Sequence, residues 1–189
     1  MKKIAILITT LVVSVSSSFA QKWNVDKAHS KVGFTVTHLM LSEVDGNFKT
    51  FDATITSSKE DFTDAVFEFS ADVSSVDTDN EMRDGHLKKA DMFDAEKFPK
   101  ISFKSTSITK VDAKKYKLVG DLTLKGVTKP VTFDLTLNGV GKNMRTQKPI
   151  AGFKLTGTIK RTDFGVGGMP GAVVSEDIEI RAVGEFGKE

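Results

Sequence analysis

The sequence predicts an all-β fold of about eight antiparallel strands carrying one short helical insertion. Three observations lead there. Beyond residue 20, apolar residues alternate with polar ones at a spacing of two through most of the chain, the pattern of strands with one buried and one solvated face. Turn-forming residues, Asn138-Gly139, Gly126 and the run from Gly165 to Gly171, stand between the alternating segments. One stretch, near residues 80–93, drops the alternation for a helical spacing.

Residues 1–20 come first and read differently. Lys2 and Lys3 lead an apolar run from Ile4 to Val15, then small polar residues and Ser18-Phe19-Ala20. This is the pattern of a signal peptide cleaved after Ala20. The run is shorter than the roughly 18–20 residues a spanning helix needs, and no later stretch matches one. A periplasmic or secreted protein of residues 21–189 is expected, folded as one domain, with no transmembrane span in the mature chain.

The strands follow in order. Val32, Phe34 and Val36 form the first row, and 47–57 is strand-like with less regular alternation. Ala65, Phe67, Phe69, Ala71 and Val73 form the next, and 100–109 is again strand-like. Leu118 to Leu124, Val131 to Leu137, Ala151 to Ile159 and Ile178 to Phe186 complete the set. Pro99, Pro130 and Pro149 are expected at strand entrances, where a missing N–H is tolerated. In the exceptional stretch, Asp79 or Asn80 can cap a helix beginning near Glu81. Met82, His86, Ala90 and Phe93 would then share a stripe that lies across one end of the sheet structure. Eight such strands make a closed barrel or a two-sheet sandwich. A barrel of that size is either filled by side chains or wide enough for one ligand.

Composition removes several function classes. Lys2 and Lys3 account for the excess of 27 Lys+Arg over 25 Asp+Glu, so the chain after Ala20 is formally neutral and lacks the positive field that nucleic-acid binding requires. The absence of cysteine excludes disulfides, thiolate-metal sites and a thiol nucleophile. No serine sits in a G-x-S-x-G elbow, and the Gly165–Gly171 run lacks the Lys and Ser/Thr of a phosphate loop. His29 and His38 differ in strand parity and make a poor shared metal site, so neither metal nor cofactor is expected. Aromatic usage is lopsided instead, with 14 Phe against one Tyr and one Trp. Phe supplies apolar area without a polar group to satisfy.

An ordered series of short motifs then resembles the YceI-like family of exported, lipocalin-like proteins associated with polyisoprenoid binding. It runs through Trp23-Asn24-Val25-Asp26, Ala28-His29-Ser30, Val32-Gly33-Phe34 and His38, then Gly46-Asn47-Phe48 and Asp79-Asn80. Arg83-Asp84-Gly85-His86-Leu87, Asp91-Met92-Phe93-Asp94 and the segment from Phe98 to Ser105 follow. Gly120 to Pro130 is the most specific stretch, and Arg161 to Gly165 closes the series. The resemblance covers essentially all of the chain after the leader. It implies an eight-stranded antiparallel lipocalin-like barrel with a helical insertion near 80–93, and an apolar cavity for a long-chain isoprenoid or another amphiphilic lipid.

Candidate ligand contacts follow from parity and from that resemblance. Phe34, Phe67, Phe69, Phe133 and Phe153 lie on inward rows, with Phe48, Phe103, Leu122 and Phe164 joining them. Small inward residues such as Gly120 and Gly157 are interspersed, as in a lined channel rather than a solid core. His38 and Arg161 share inward parity. Arg161 is expected either to meet a polar head at the cavity mouth or to pair with Asp84 or Asp163. Met82, Arg83, His86 and Phe93 belong to the insertion, where a head group could reach them. Two or three isoprene units would contribute about 8–12 kcal/mol gross on burial, of which association entropy takes back several. The expected function is carriage of one such lipid. The alternatives are an accessory or stress-related exported protein acting through a partner, and a lipid-modifying enzyme using the barrel as its chamber. A homodimer through an outward strand face is compatible with the sequence.

Overall fold

The structure is a computed structural model and describes residues 20–189. Apart from Ala20, the expected signal peptide lies outside the described residues. Ten strand segments are present among them: β1 (Gln21–His38), β2 (Ser42–Phe48), β3 (Phe51–Ser57), β4 (Val66–Asp72), β5 (Val76–Asp77), β6 (Lys100–Asp112), β7 (Lys115–Leu124), β8 (Val127–Lys142), β9 (Pro149–Lys160) and β10 (Asp177–Lys188). They act as eight staves. One edge of β1 pairs with β3 near its start and with β2 near its end, so β2 and β3 are one stave kinked at Lys49 and Thr50. β4 lies on β3 and β5 on β2, with a 3-10 turn at Val73–Ser75 between them. From there each stave pairs antiparallel with its sequence neighbour, and β10 returns to β1. Closure removes the unpaired edges that an open sheet would expose.

The eight-stranded barrel with its helical insertion is therefore as the sequence predicts, with local differences. Asn138-Gly139 is not a turn. It lies inside β8, at a bulge where the register against β9 shifts between Leu137 and Gly139, the other setting in which a Gly within a strand pattern is useful. Pro130 lies inside β8 opposite Asp121, on a stretch whose other edge has no ladder, because pairing with β9 begins at Asp134. The hairpin at Lys125-Gly126 does behave as a turn. Both residues have positive φ, 50° and 75°, as a two-residue turn matching strand twist demands.

The insertion differs most. Its helix, α1, spans only Glu81–Leu87, with the Asn80 side chain accepting from the Arg83 N–H at 3.0 Å. Residues after Lys88 run through turns, so the expected stripe from Met82 to Phe93 does not form. Met82 is exposed, whereas Met92 and Phe93 are buried by the turns that follow the helix. With Gly85 inside it, at a cost of about 1 kcal/mol relative to Ala, the helix has little intrinsic reason to continue.

Candidate functional site

The barrel interior is divided along its axis. At the end holding the 58–65 loop and the β6–β7 and β8–β9 turns, aromatic rings close it. Phe153 packs edge-on against Phe62, Phe67 and Phe186, with centroids 5.1, 5.4 and 6.0 Å away. Trp23 packs against Phe62 with its ring tilted by 60° and centroids 5.3 Å apart. Tyr116 is also buried there and donates its hydroxyl to the Asp61 carbonyl at 2.7 Å; burial raises its pKa. This end is a plug.

The other end is hollow. A cavity of about 610 Å³, within the range usual for small-molecule sites, runs between the walls and reaches the surface among the 78–93 insertion, the β1–β2 turn and the 165–174 loop. Phe34, Phe48, Phe69, Phe103, Leu122 and Phe133 line its walls, and His38, Met82, Arg83, His86, Phe93 and Arg161 line its mouth side. Twelve of the fifteen residues expected from the sequence are thus gathered around one space. Phe67 and Phe153 do not line it, because they belong to the plug. Phe164 does not line it either, being buried in the 3-10 turn after β9. Strand parity specifies inward against outward; it says nothing of depth along the barrel axis, and these three positions are where that matters.

Glycines make room for the rings that line the wall. Phe34 stands opposite Gly46 on the neighbouring strand, and Gly157 lies beside Phe133 one step beyond the paired residues Asp134 and Thr156 of β8 and β9. A Cβ at Gly46 would lie 2.3 Å from the Phe34 ring, one at Gly120 2.5 Å from Phe103, and one at Gly157 2.6 Å from Phe133. Each ring therefore occupies the space a neighbouring side chain would take, and lies along the wall instead of projecting across the barrel.

Arg161 pairs with neither Asp84 nor Asp163. It is 5% exposed and gives all five of its N–H groups to backbone carbonyls. Nε donates to Ser175, Nη1 to Val166 and Gly167, and Nη2 to Met169 and Val174, over 2.6–3.0 Å. Asp163 pairs with Lys129 instead, and Asp84 accepts from the Thr78 N–H and hydroxyl. The planar guanidinium fork suits this work. Arg161 shapes the 165–175 loop into a wall of the cavity mouth, bringing Val166, Met169, Val173 and Val174 to the lining. The sequence signalled the loop by its glycines but not its place in the site, since only the guanidinium contacts fix that.

Polar groups at the mouth belong mainly to the insertion. Arg83 donates from Nε to the Thr78 hydroxyl at 2.7 Å and from Nη2 to the Thr78 carbonyl at 2.6 Å, leaving Nη1 outside these bonds. His86 lies 3.0 Å from Asp91 through Nε2, and that hydrogen bond lowers the Asp91 pKa. Away from the cavity, on the outer face of β1 and β10, Asp26, His29 and Glu185 bring their ligand atoms within 4.8 Å of one another. They are the one such group among the described residues. His29 and Asp26 already satisfy each other at 2.9 Å, which raises the histidine and lowers the carboxylate. The ion pair accounts for the arrangement without a metal.

Comparison with known proteins bears on this geometry. Residues 23–186 match the YceI-like domain. The chain belongs to the YceI-like family. A UPF0312 protein of Staphylococcus aureus strain N315 is 38% identical over 166 residues, covering 85% of this chain and 94% of that protein. Among solved structures, a YceI protein of Campylobacter jejuni is 33% identical, with a TM-score of 0.74 over 81% of this chain and 90% of its own. BcnA of Burkholderia cenocepacia is 27% identical, with a TM-score of 0.77 over 85% and 98%. A polyisoprenoid binding domain from Saccharophagus degradans shares the YceI-like fold at 13% identity, with a TM-score of 0.68 over 88% and 98%. Among the described residues of this family member, no helix is long and apolar enough to cross a membrane.

Proposed function

We propose that this YceI-like protein is exported and carries one long-chain isoprenoid or comparable amphiphile, with the tail in the cavity and the polar head at the mouth. The observation that carries the reading is the cavity itself: apolar walls, one open end, and an aromatic plug at the other. A hydrocarbon tail gains about 0.8 kcal/mol per buried CH₂ in such a space, so chain length sets affinity more than any single polar contact. The polyisoprenoid binding of the Saccharophagus domain supports the ligand class, and the leader-like residues 1–20 support export.

Arg83 is the better candidate for the head group than Arg161. Its side chain is exposed at the mouth and keeps one guanidinium nitrogen uncommitted, whereas every donor of Arg161 is engaged. His38, His86 and Asn80 border the same opening. Native mass spectrometry and solvent extraction of the purified protein test the reading. A co-purifying lipid, or stoichiometric uptake of a polyprenyl probe, is expected. A protein that carries no lipid and takes up no apolar chain would refute it.

A further inference from the structure

We propose that the mouth of the barrel docks on the surface of a lipid bilayer, through an apolar rim led by the β1–β2 turn. This rests on the lipid-carrier reading and adds where the lipid is exchanged. Leu39, Met40 and Leu41 are consecutive and are 48%, 75% and 86% exposed. Met82, on α1 across the opening, is 85% exposed, and Met169 on the Arg161-held loop is exposed as well. Three separate chain segments thus present apolar side chains around the one opening of the cavity. Toward the plugged end the exposed apolar residues Val66, Val111, Val140 and Met144 come one at a time from different strands and turns, with no consecutive run like Leu39–Leu41.

The backbone of the turn gives a second reason. Leu39 and Met40 both have left-handed φ, 51° and 56°, a region that costs an ordinary residue roughly 1–2 kcal/mol and suits Gly, Asn or Asp. The turn is held there by the Leu39 N–H to Val173 carbonyl bond at 2.9 Å, the Leu41 N–H to His38 carbonyl bond at 3.0 Å, and the bridge between His38 and Val174. Neither folding nor solubility asks for Leu and Met at strained, solvated positions. Strain of this kind persists where function uses it.

A bilayer fits this rim better than a protein. Stable protein interfaces draw on roughly 20–30 residues a side, and a second copy seated here would cover the cavity's opening. The unbranched side chains of Met40, Met82 and Met169 adapt readily to a fluid surface. The insertion at the mouth carries charges of both signs, with Arg83, Lys88 and Lys89 interspersed among Asp79, Glu81, Asp84 and Asp91 along the chain, so there is no one-signed field to select anionic lipid. Attachment by shallow apolar insertion follows, and it should be insensitive to salt.

The test uses the purified protein, phosphatidylcholine vesicles, and separately a fluorescent long-chain fatty acid in solution. Wild type should co-sediment with the vesicles equally at low and high salt. The M40N/L41N double variant replaces no cavity-lining residue and places Asn at a left-handed position. It should lose at least roughly tenfold in vesicle partitioning, given the area it removes, while melting no lower than wild type and binding the probe in solution unchanged. Wild type that binds the probe yet stays in the supernatant overturns the docking proposal alone. Wild type that binds vesicles through the rim but takes up no probe supports docking and overturns the carrier reading. Equal co-sedimentation of the double variant overturns docking, as does a wild-type dimer that the double variant dissociates, because the rim would then be an interface between copies.

Discussion

Replacing Gly157 with Ala should shrink the cavity by moving one ring. A Cβ there would lie 2.6 Å from Cδ1 of Phe133, 3.3 Å from its Cε1 and 3.4 Å from the Thr132 carbonyl oxygen. Ordinary contact begins near 3.4 Å, so the ring must retreat by about 0.8 Å at its nearest atom. The wall blocks it on the Gly157 side, and the open direction is the cavity that Phe133 lines. A displaced ring excludes ligand volume equivalent to about one or two methylenes, worth roughly 0.8 kcal/mol each, which is about a 4- to 15-fold loss of affinity for an apolar chain. Overpacking should also cost about 1–3 kcal/mol of stability. Fluorescence titration with a polyprenyl or fatty-acid probe reads the first effect, and denaturant unfolding reads the second. Gly152→Ala is the control, since its Cβ would meet nothing closer than 3.7 Å. In the Gly157→Ala background, Phe133→Leu should restore binding by removing the ring edge. Unchanged affinity in a stably folded Gly157→Ala variant would show that the glycine beside Phe133 is not what keeps the cavity open.

The plug and the loop give further tests. Phe153→Ala should cost about 3–5 kcal/mol and extend the cavity toward Trp23, so longer chains should gain affinity over shorter ones; a length preference unchanged from wild type would contradict the plug. Arg161→Met strands five carbonyls and should cost about 3 kcal/mol or more, and Arg161→Lys should recover only part of that because an ammonium has three donors. Hydrogen exchange should rise across residues 165–176 in both, and unchanged protection there would refute the role given to Arg161. Burial pushes the Asp64 carboxyl up, but hydrogen bonds from Ser57, Ser58 and Lys59 outweigh it and hold the group well below the usual range. Its contribution is therefore complete above the unfolded value of about 3.9 and is lost as pH falls through the lower folded value. Asp64→Asn should be less stable than wild type at pH 7, with the difference closing in unfolding curves taken below about pH 4; a constant difference across that range would contradict the assignment.

The sequence by itself determined the strands and the faces they turn inward; closure into a barrel around a hollow followed from the family resemblance, since the residue pattern also allowed a sandwich or a filled interior. Alternation at a spacing of two is a local property, and it told which face of a strand turns inward, putting Phe34, Phe69 and Phe133 on faces that the structure turns to the cavity. Capping chemistry is equally local, and Asn80 caps α1 as its residue type predicts. What alternation cannot encode is depth. Phe133 and Phe153 have the same parity on adjacent strands, yet one lines the hollow and the other fills the plug, because barrel stagger sets each residue's height along the axis.

The tertiary structure also decided the work of the polar groups. Arg161 pointed inward as expected, but its partners are carbonyls 5–14 residues further on, brought round by a loop whose path no spacing rule describes. The pairing of wall rings with glycines was half legible, since the small residues could be counted but their partners required register. The rim was not legible at all. Leu39, Met40 and Leu41 are three consecutive apolar residues that follow an alternating row in the sequence, and only the closed turn pinned to Val173 and Val174 leaves them in solvent around the opening. Local pattern fixes which way a side chain points; long-range strand and loop contacts fix what it meets.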